Sequence, residues 1–181
     1  QHDKYNDKKR WIPLSGDIAG LCAFTDQVGN VWDSPAGYNR GFIKNVVKLA
    51  YDPKRSLRDT LYESQINPVI NSSGLGFVLL GDKTAQAKPD PFDHINVRRL
   101  FNFLEKGIGD SSKFKLFQNN TEFTRNQFVQ EVSTYLDSIK AKDGVIDFYV
   151  QCDERNNPVA VRDRNEFVGT ILIKPPISIN F

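Results

Sequence analysis

The chain has 181 residues, 39% hydrophobic, 12% aromatic and 25% charged, which sets it among ordinary globular chains and outside the collagenous, low-complexity and disulfide-dense classes. Its 24 Lys and Arg against 22 Asp and Glu leave a net charge of +2, no general electrostatic case for binding nucleic acid or an anionic membrane. Two scattered cysteines point to small buried side chains and a reducing compartment, no signal peptide opens the chain, and no apolar run approaches the roughly 18–20 residues that span a bilayer.

A chain of this length buries roughly 70% of the surface it exposes when unfolded, so its core needs neither disulfides nor a structural metal. It contains no methionine and begins with Gln1, from which it is expected to be a piece of something longer. Residues 1–14 read as a polar leader, in which Asp3 and Asp7 interrupt Lys4, Lys8, Lys9 and Arg10. Ser15 is then a candidate N-cap, and Ile18, Leu21, Cys22 and Thr25 form one apolar helical face. Trp32 to Tyr38, with Pro35 and Gly37, reads as an irregular loop. Ile43 to Tyr51 alternates, with Ile43, Val47, Leu49 and Tyr51 opposite Lys44 and Lys48, and predicts a strand with one wet face. Ser56 and Asp59 have capping-box spacing for a helix that buries Leu57 and Leu61. Val69 and Ile70, a Ser-Ser-Gly turn and Phe77 to Leu80 predict a β-hairpin.

Ala85 to Asp93, with two prolines, is a connection. From Asn96, Val97, Leu100, Phe101, Leu104 and Ile108 share one helical face, with Arg99, Asn102 and Lys106 opposite. A second helix is expected after a capping box of Thr124 and Gln127, with Phe128, Val132, Tyr135, Leu136 and Ile139 as its stripe. Lys140 and Lys142 suit its C-terminal dipole and Gly144 its cap. Ile146 to Cys152 alternates as a strand, Asn156, Asn157 and Pro158 turn the chain, and Val159 to Arg162 is expected to pair back. Phe167 to Lys174 is a further strand. The fold class is therefore α/β of the α+β kind, a mixed sheet packed against several helices, with the folded domain over 15–176.

Chemical motifs are sparse. Gly76 to Thr84 has the outline of a phosphate loop, but Asp82 precedes the lysine and the intervening residues form a strand, so no helix N-terminus cradles a phosphate. His2 and His94 lack metal-ligand spacing, and His94 reads as a helix-start residue. Asp153, Glu154, Asp163 and Glu166 are interleaved with Arg155, Arg162 and Arg164, a solvated turn rather than a cation site. The glycosylation triplets at Asn71 and Asn119 matter only in a secreted protein, which nothing else suggests.

The last five residues alternate again, with Ile177, Ile179 and Phe181 on one side, after Pro175 and Pro176 stiffen the exit. Ordering them costs about 1–2 kcal/mol each, which main-chain hydrogen bonds at about 0.5–1.5 kcal/mol barely offset. Burying the three apolar side chains adds roughly 1.5–3 kcal/mol apiece and favours docking on a sheet edge. That edge belongs either to this chain or to a neighbour.

Several stretches occur together in a specific order: Trp11-Ile-Pro-Leu-Ser-Gly-Asp-Ile-Ala-Gly-Leu, Ser34-Pro-Ala-Gly37, Asn67-Pro-Val69, Gly81-Asp-Lys-Thr-Ala85, Ile95-Asn-Val-Arg-Arg-Leu-Phe101, Asn165-Glu-Phe-Val168 and Ile173-Lys-Pro175. The series, which covers most of the chain from Trp11, resembles the tail sheath proteins of contractile bacteriophages, most of all those of the large T-even-type phages. The resemblance implies the C-terminal, inner part of a sheath subunit, without the N-terminal arm and outer domains, and with no catalytic residue, metal or cofactor. It implies hexameric rings in a helical stack, linked by arms that add strands to a sheet in neighbouring subunits, which contract and drive a tube through the host envelope. Its partners would be other sheath subunits, the tail tube, the baseplate and the tail terminator, with no nucleic acid and no membrane insertion. Its place would be the virion tail, after assembly in the host cytoplasm. Carried to these residues, Ile177, Ile179 and Phe181 begin the linking arm. Ile146, Phe148, Val150, Ile171 and Ile173 belong to the receiving sheet, and Arg99, Lys106, Lys140 and Lys142 are candidates to face the tube or to lie on ordinary solvated helix faces. The rival readings are the sheath of a related secretion or bacteriocin system, and a nucleotide-binding enzyme using Gly76 to Thr84.

Overall fold

In the computed structural model, which describes residues 1–178, the chain divides into two compact units. One consists of Gln1–Arg99 joined by Ile177 and Ser178, the other of Leu100–Pro176.

The first unit opens with a small ladder, β1 (His2–Asp3) against β2 (Lys8–Lys9), and continues into α1 (Ser15–Val28). Leu14 already has helical φ and ψ and occupies the N-cap position, so Ser15 lies inside the helix and does not cap it. Leu21 and Thr25 are the buried members of the expected face, and the Thr25 hydroxyl returns its hydrogen to Leu21 O. The strand expected over Ile43 to Tyr51 does not form. Phe42 makes a single bridge to Val78, then a turn with Asn45 at φ +66° redirects the chain and leaves Val47 and Tyr51 exposed. Asparagine tolerates that left-handed conformation better than most residues. In α2 (Arg55–Glu63) no residue is buried: Leu57 is exposed and Leu61 half-buried. The helix begins one residue before Ser56, with Lys54 at the N-cap, so the expected capping box is not made.

The hairpin is present. Antiparallel β3 (Val69–Ser72) and β4 (Gly76–Leu79) place Ile70 opposite Val78, and Ile70, Val78 and Leu80 form an apolar cluster packed by Phe42. Gly74 and Gly76, at φ +78° and +96°, supply the turn conformations that other residues resist. A Cβ at Gly41 would lie 2.6 Å from Gly37 O and 2.8 Å from Leu79 O, so glycine alone fits beside this hairpin.

Helix α3 (Ile95–Ser112) contains the boundary between the units. In the second unit its buried Leu100 and Leu104 join the core with Phe128, Val132, Leu136 and Ile139 of α4 (Glu122–Lys140). Thr121 caps α4, accepting Thr124 N at 3.2 Å, so Thr124 is the recipient of the cap and not its source. Beyond α4 the left-handed residue is Asp143, at φ +58°, with Gly144 N donating to Ile139 O. Antiparallel β5 (Asp147–Gln151) and β6 (Thr170–Lys174) follow in register, Tyr149 opposite Leu172. Between them Val159–Arg162 forms the short helix α5 rather than a returning strand: Pro158 sets its start, and Arg162 N reaches back to Pro158 O. The α+β class holds, but the strands are divided among three two-stranded antiparallel sheets in place of one mixed sheet among the described residues.

Candidate functional site

The β5–β6 sheet has one covered and one open face. Helix α4 packs against β5. Phe148, Val150, Ile171 and Ile173 alternate as half-buried positions, while Tyr149 and Leu172 between them are 53% and 59% exposed. Ile146, just before β5, is also exposed, although its N–H donates to Lys174 O and extends the ladder. Among the described residues no third strand pairs with either partner, so each strand keeps one unpaired row of backbone donors and acceptors. The charges lie at one end, where Asp147 faces Lys174, and the middle is apolar. Edges are usually protected by central charges, proline or bulges.

The connection between these strands is rigidly held. Fully buried Asn157 uses both ends of its side-chain amide on Val168, accepting its N–H at 2.9 Å and donating to its C=O at 2.8 Å. Asn120 donates to Asn157 Oδ1 and to Glu166 O, and itself accepts from buried Arg125. Phe167 meets Phe128 edge-to-face at 5.4 Å. Burial pushes the Cys152 thiol above its ordinary pKa, and it does the same at Cys22 in the first unit.

In the first unit the chain after β4 builds a buried polar cluster. A Cβ at Gly81 would lie 2.6 Å from Asn67 Oδ1, so glycine permits the close approach at which the Asn67 amide pairs with both Lys83 N and Lys83 O, each at 2.8 Å. Residues 82–84 are zipped to 93–95: Ile95 N donates to Asp82 O and Thr84 N to Asp93 O. This brings four titratable side chains together. His94 Nδ1 lies 3.3 Å from Asp82 Oδ1, His94 Nε2 3.2 Å from Asp93 Oδ1, and Lys83 Nζ 2.7 Å from Asp93 Oδ2. Ser34 and Tyr62 donate to Asp82, and Lys83 sits over the Tyr62 ring. Ser178 donates to Asp82 Oδ2, with its Oγ 3.3 Å from His94 Nδ1. A hydroxyl, an imidazole and a carboxylate are thus in contact, yet the hydrogen a base would remove is committed to a second carboxylate. Lys83 is likewise held by Asp93, which argues against a phosphate role for the segment Gly76 to Thr84.

Among the residues singled out from sequence, Ile177 is 54% exposed, and Ile179 and Phe181 lie outside the described residues. Ile146, Phe148, Val150, Ile171 and Ile173, expected in a receiving sheet, come together on and beside β5 and β6. The cations do not form one set. Arg99 is largely buried and paired with Asp26, and its Nη2 also donates to Cys22 O. Lys106 is exposed on α3, Lys140 binds Asp147 at 2.9 Å, and Lys142 is exposed. The Lys140 hydrogen bond holds the Asp147 carboxyl below its ordinary pKa. Asp93 and Ser178 escaped a reading by spacing, and Asp82 and Lys83 entered only as a departure from a phosphate loop. Their one signal was two neighbouring acid–base pairs, Asp82-Lys83 and Asp93-His94, at the ends of apolar elements. No group of three or more His, Cys, Asp or Glu suited to a metal ion occurs among the described residues.

Comparison with known proteins matches residues 3–85 to the family model of the phage tail sheath protein central domain, and residues 87–181 to that of the phage tail sheath C-terminal domain. The chain is 59% identical to the tail sheath protein of Vibrio phage KVP40, over 100% of this chain and 27% of that protein. It is 56% identical to the tail sheath protein of Enterobacteria phage T4, over 100% of this chain and 28% of that protein. The chain therefore spans about a quarter of the length of these relatives. In fold it is similar to the PVC sheath complex of an extracellular contractile injection system in the contracted state, with TM-score 0.86 and 24% identity over 96% of this chain and 51% of that one.

Proposed function

Since the chain belongs to the phage tail sheath family, we propose that it forms the inner part of a structural subunit that polymerises around a tail tube. The assembled sheath contracts and drives the tube through the host envelope. The observation that supports this reading is the β5–β6 sheet, apolar along the middle of both strands and unpaired on both outer edges among the described residues.

An isolated two-stranded sheet is marginal in water, and exposed apolar edges invite further strands. In this reading residues 1–14 are a leader, 15–176 the inner part, shared between the central-domain and C-terminal-domain matches and divided into two compact units, and 177–181 the start of a linking arm. Ile177, Ile179 and Phe181 add as a strand to the sheet of a neighbouring subunit, at Ile146, Phe148, Val150, Ile171 and Ile173. The exposure of Ile177 suits a side chain reserved for another surface. The partners are sheath subunits in stacked hexameric rings, the tail tube, the baseplate and the tail terminator, and neither nucleic acid nor a membrane. Either Arg99 and Lys106 or Lys140 and Lys142 face the tube; Arg99 is held by Asp26 and Lys140 by Asp147. The role is mechanical and not enzymatic. The subunit assembles in the host cytoplasm and remains in the virion tail.

Replacing Ile177, Ile179 and Phe181 together by Ser in the full-length subunit is expected to abolish extended sheath formation on tubes, seen by electron microscopy, while the melting temperature of the free subunit is retained. Normal sheaths from that variant would overturn the arm assignment.

A further inference from the structure

The buried Asp82, Asp93 and His94 of the first unit, with Lys83, have no part in the strand-addition reading, yet a group of two carboxylates, an ammonium and an imidazole is costly to desolvate and persists only where its members satisfy one another. Asp93 is satisfied locally by Lys83 and His94. Asp82 already receives Ser34, Tyr62 and His94, all from the same unit. Its fourth partner comes from far along the chain: Ser178 is 96 residues from Asp82 and 84 from His94. The chain reaches this point only after completing the second unit at Pro176. Ile177 beside it is 54% exposed, so apolar burial of that neighbour does little to hold the segment. Among the described residues of this segment, the Ser178 hydroxyl makes the tie, through a hydrogen bond to a side chain only 4% exposed.

We propose that Asp82 and His94 form a binding seat for a hydroxyl-bearing chain segment, occupied by Ser178, which fixes where the chain after Pro176 leaves the first unit. The seat bears on the linking arm proposed above without depending on it. Because Asp82 keeps three other partners, loss of the Ser178 hydroxyl leaves no orphaned buried carboxylate. The segment should therefore come loose while the unit stays folded, a separation that a merely structural residue would not produce.

The test is limited proteolysis of the full-length subunit, where cleavage within residues 175–181 tracks the population of the opened segment. Ser178→Ala is expected to raise that cleavage rate about ten- to a hundredfold, the loss of a hydrogen bond to a charged group, with a fall in melting temperature of at most a few degrees and no new cleavage elsewhere in the first unit. Ser178→Thr, which restores a hydroxyl, is expected to cleave at the wild-type rate. Wild-type cleavage in Ser178→Ala would overturn the proposal. So would faster cleavage in the Thr variant as well, which would make shape and not the hydroxyl the cause, or faster cleavage spread through residues 1–99, which would mean that the unit itself had loosened. The readout needs no assembly, so its failure leaves the sheath reading standing, and failure of sheath assembly leaves the seat standing.

Discussion

The two units use the same device for different ends. In each, one asparagine amide imitates a strand by pairing with both backbone groups of a single residue: Asn67 with Lys83 in the first unit, Asn157 with Val168 in the second. Beyond its asparagine the first unit closes on itself, in a cluster where every carboxylate has a partner. The second leads instead into β6, whose outer edge has no strand beside it among the described residues. Local rigidity is thus spent in one unit on sealing an interior and in the other on presenting an unfinished surface.

That contrast can be broken most strongly through the second unit's core. Leu136→Ala, at a fully buried position, is expected to cost about 2–5 kcal/mol. Leu172→Ala, on the open face of the same unit, is expected to change subunit stability by no more than about 0.5 kcal/mol. Denaturant melts of the two variants check both, and equal losses would mean that the face is covered. Next come the asparagines. Asn157→Ala, at a fully buried position that also serves Asn120 and Asp153, is expected to cost about 2–3 kcal/mol, and Asn67→Ala, half-buried, about 1–2 kcal/mol. Similar losses would show that burial does not distinguish the two devices. The smallest effect concerns the thiols. Burial raises the pKa of Cys22 and Cys152, so little thiolate is present near neutral pH, and both are expected to react slowly with an aromatic disulfide reagent until denaturant is added. Fast labelling of native Cys152 would show that the turn between β5 and β6 opens readily.

Much of this fold is legible from periodicity. The stripes of α3 and α4 and the turn glycines of the β3–β4 hairpin each carry one strong local signal that tertiary packing reinforces. The failures come where local pattern and tertiary context part. Ile43 to Tyr51 has the alternation of a strand, but the turn at Asn45 denies it a neighbour. Val159 to Arg162 has β-branched residues, but Pro158 and the Asn157 clamp fix a helical turn first. Caps shift by up to three residues because Thr121 and Thr124 are chemically alike, and only the path of the chain chooses between them. The alternating strands that form β5 and β6 are readable, and the structure pairs them with each other. The seat was not, because a buried Asp–His pair looks in one dimension like the polar end of a loop, and Ser178 like the wet side of an alternating strand.

The return of Ile177 and Ser178 to the first unit also sets a load path. A pull applied to the chain beyond residue 178 meets the Ser178 anchor before it reaches β6. While that anchor holds, tension enters the first unit and the β5–β6 ladder is spared from peeling strand by strand.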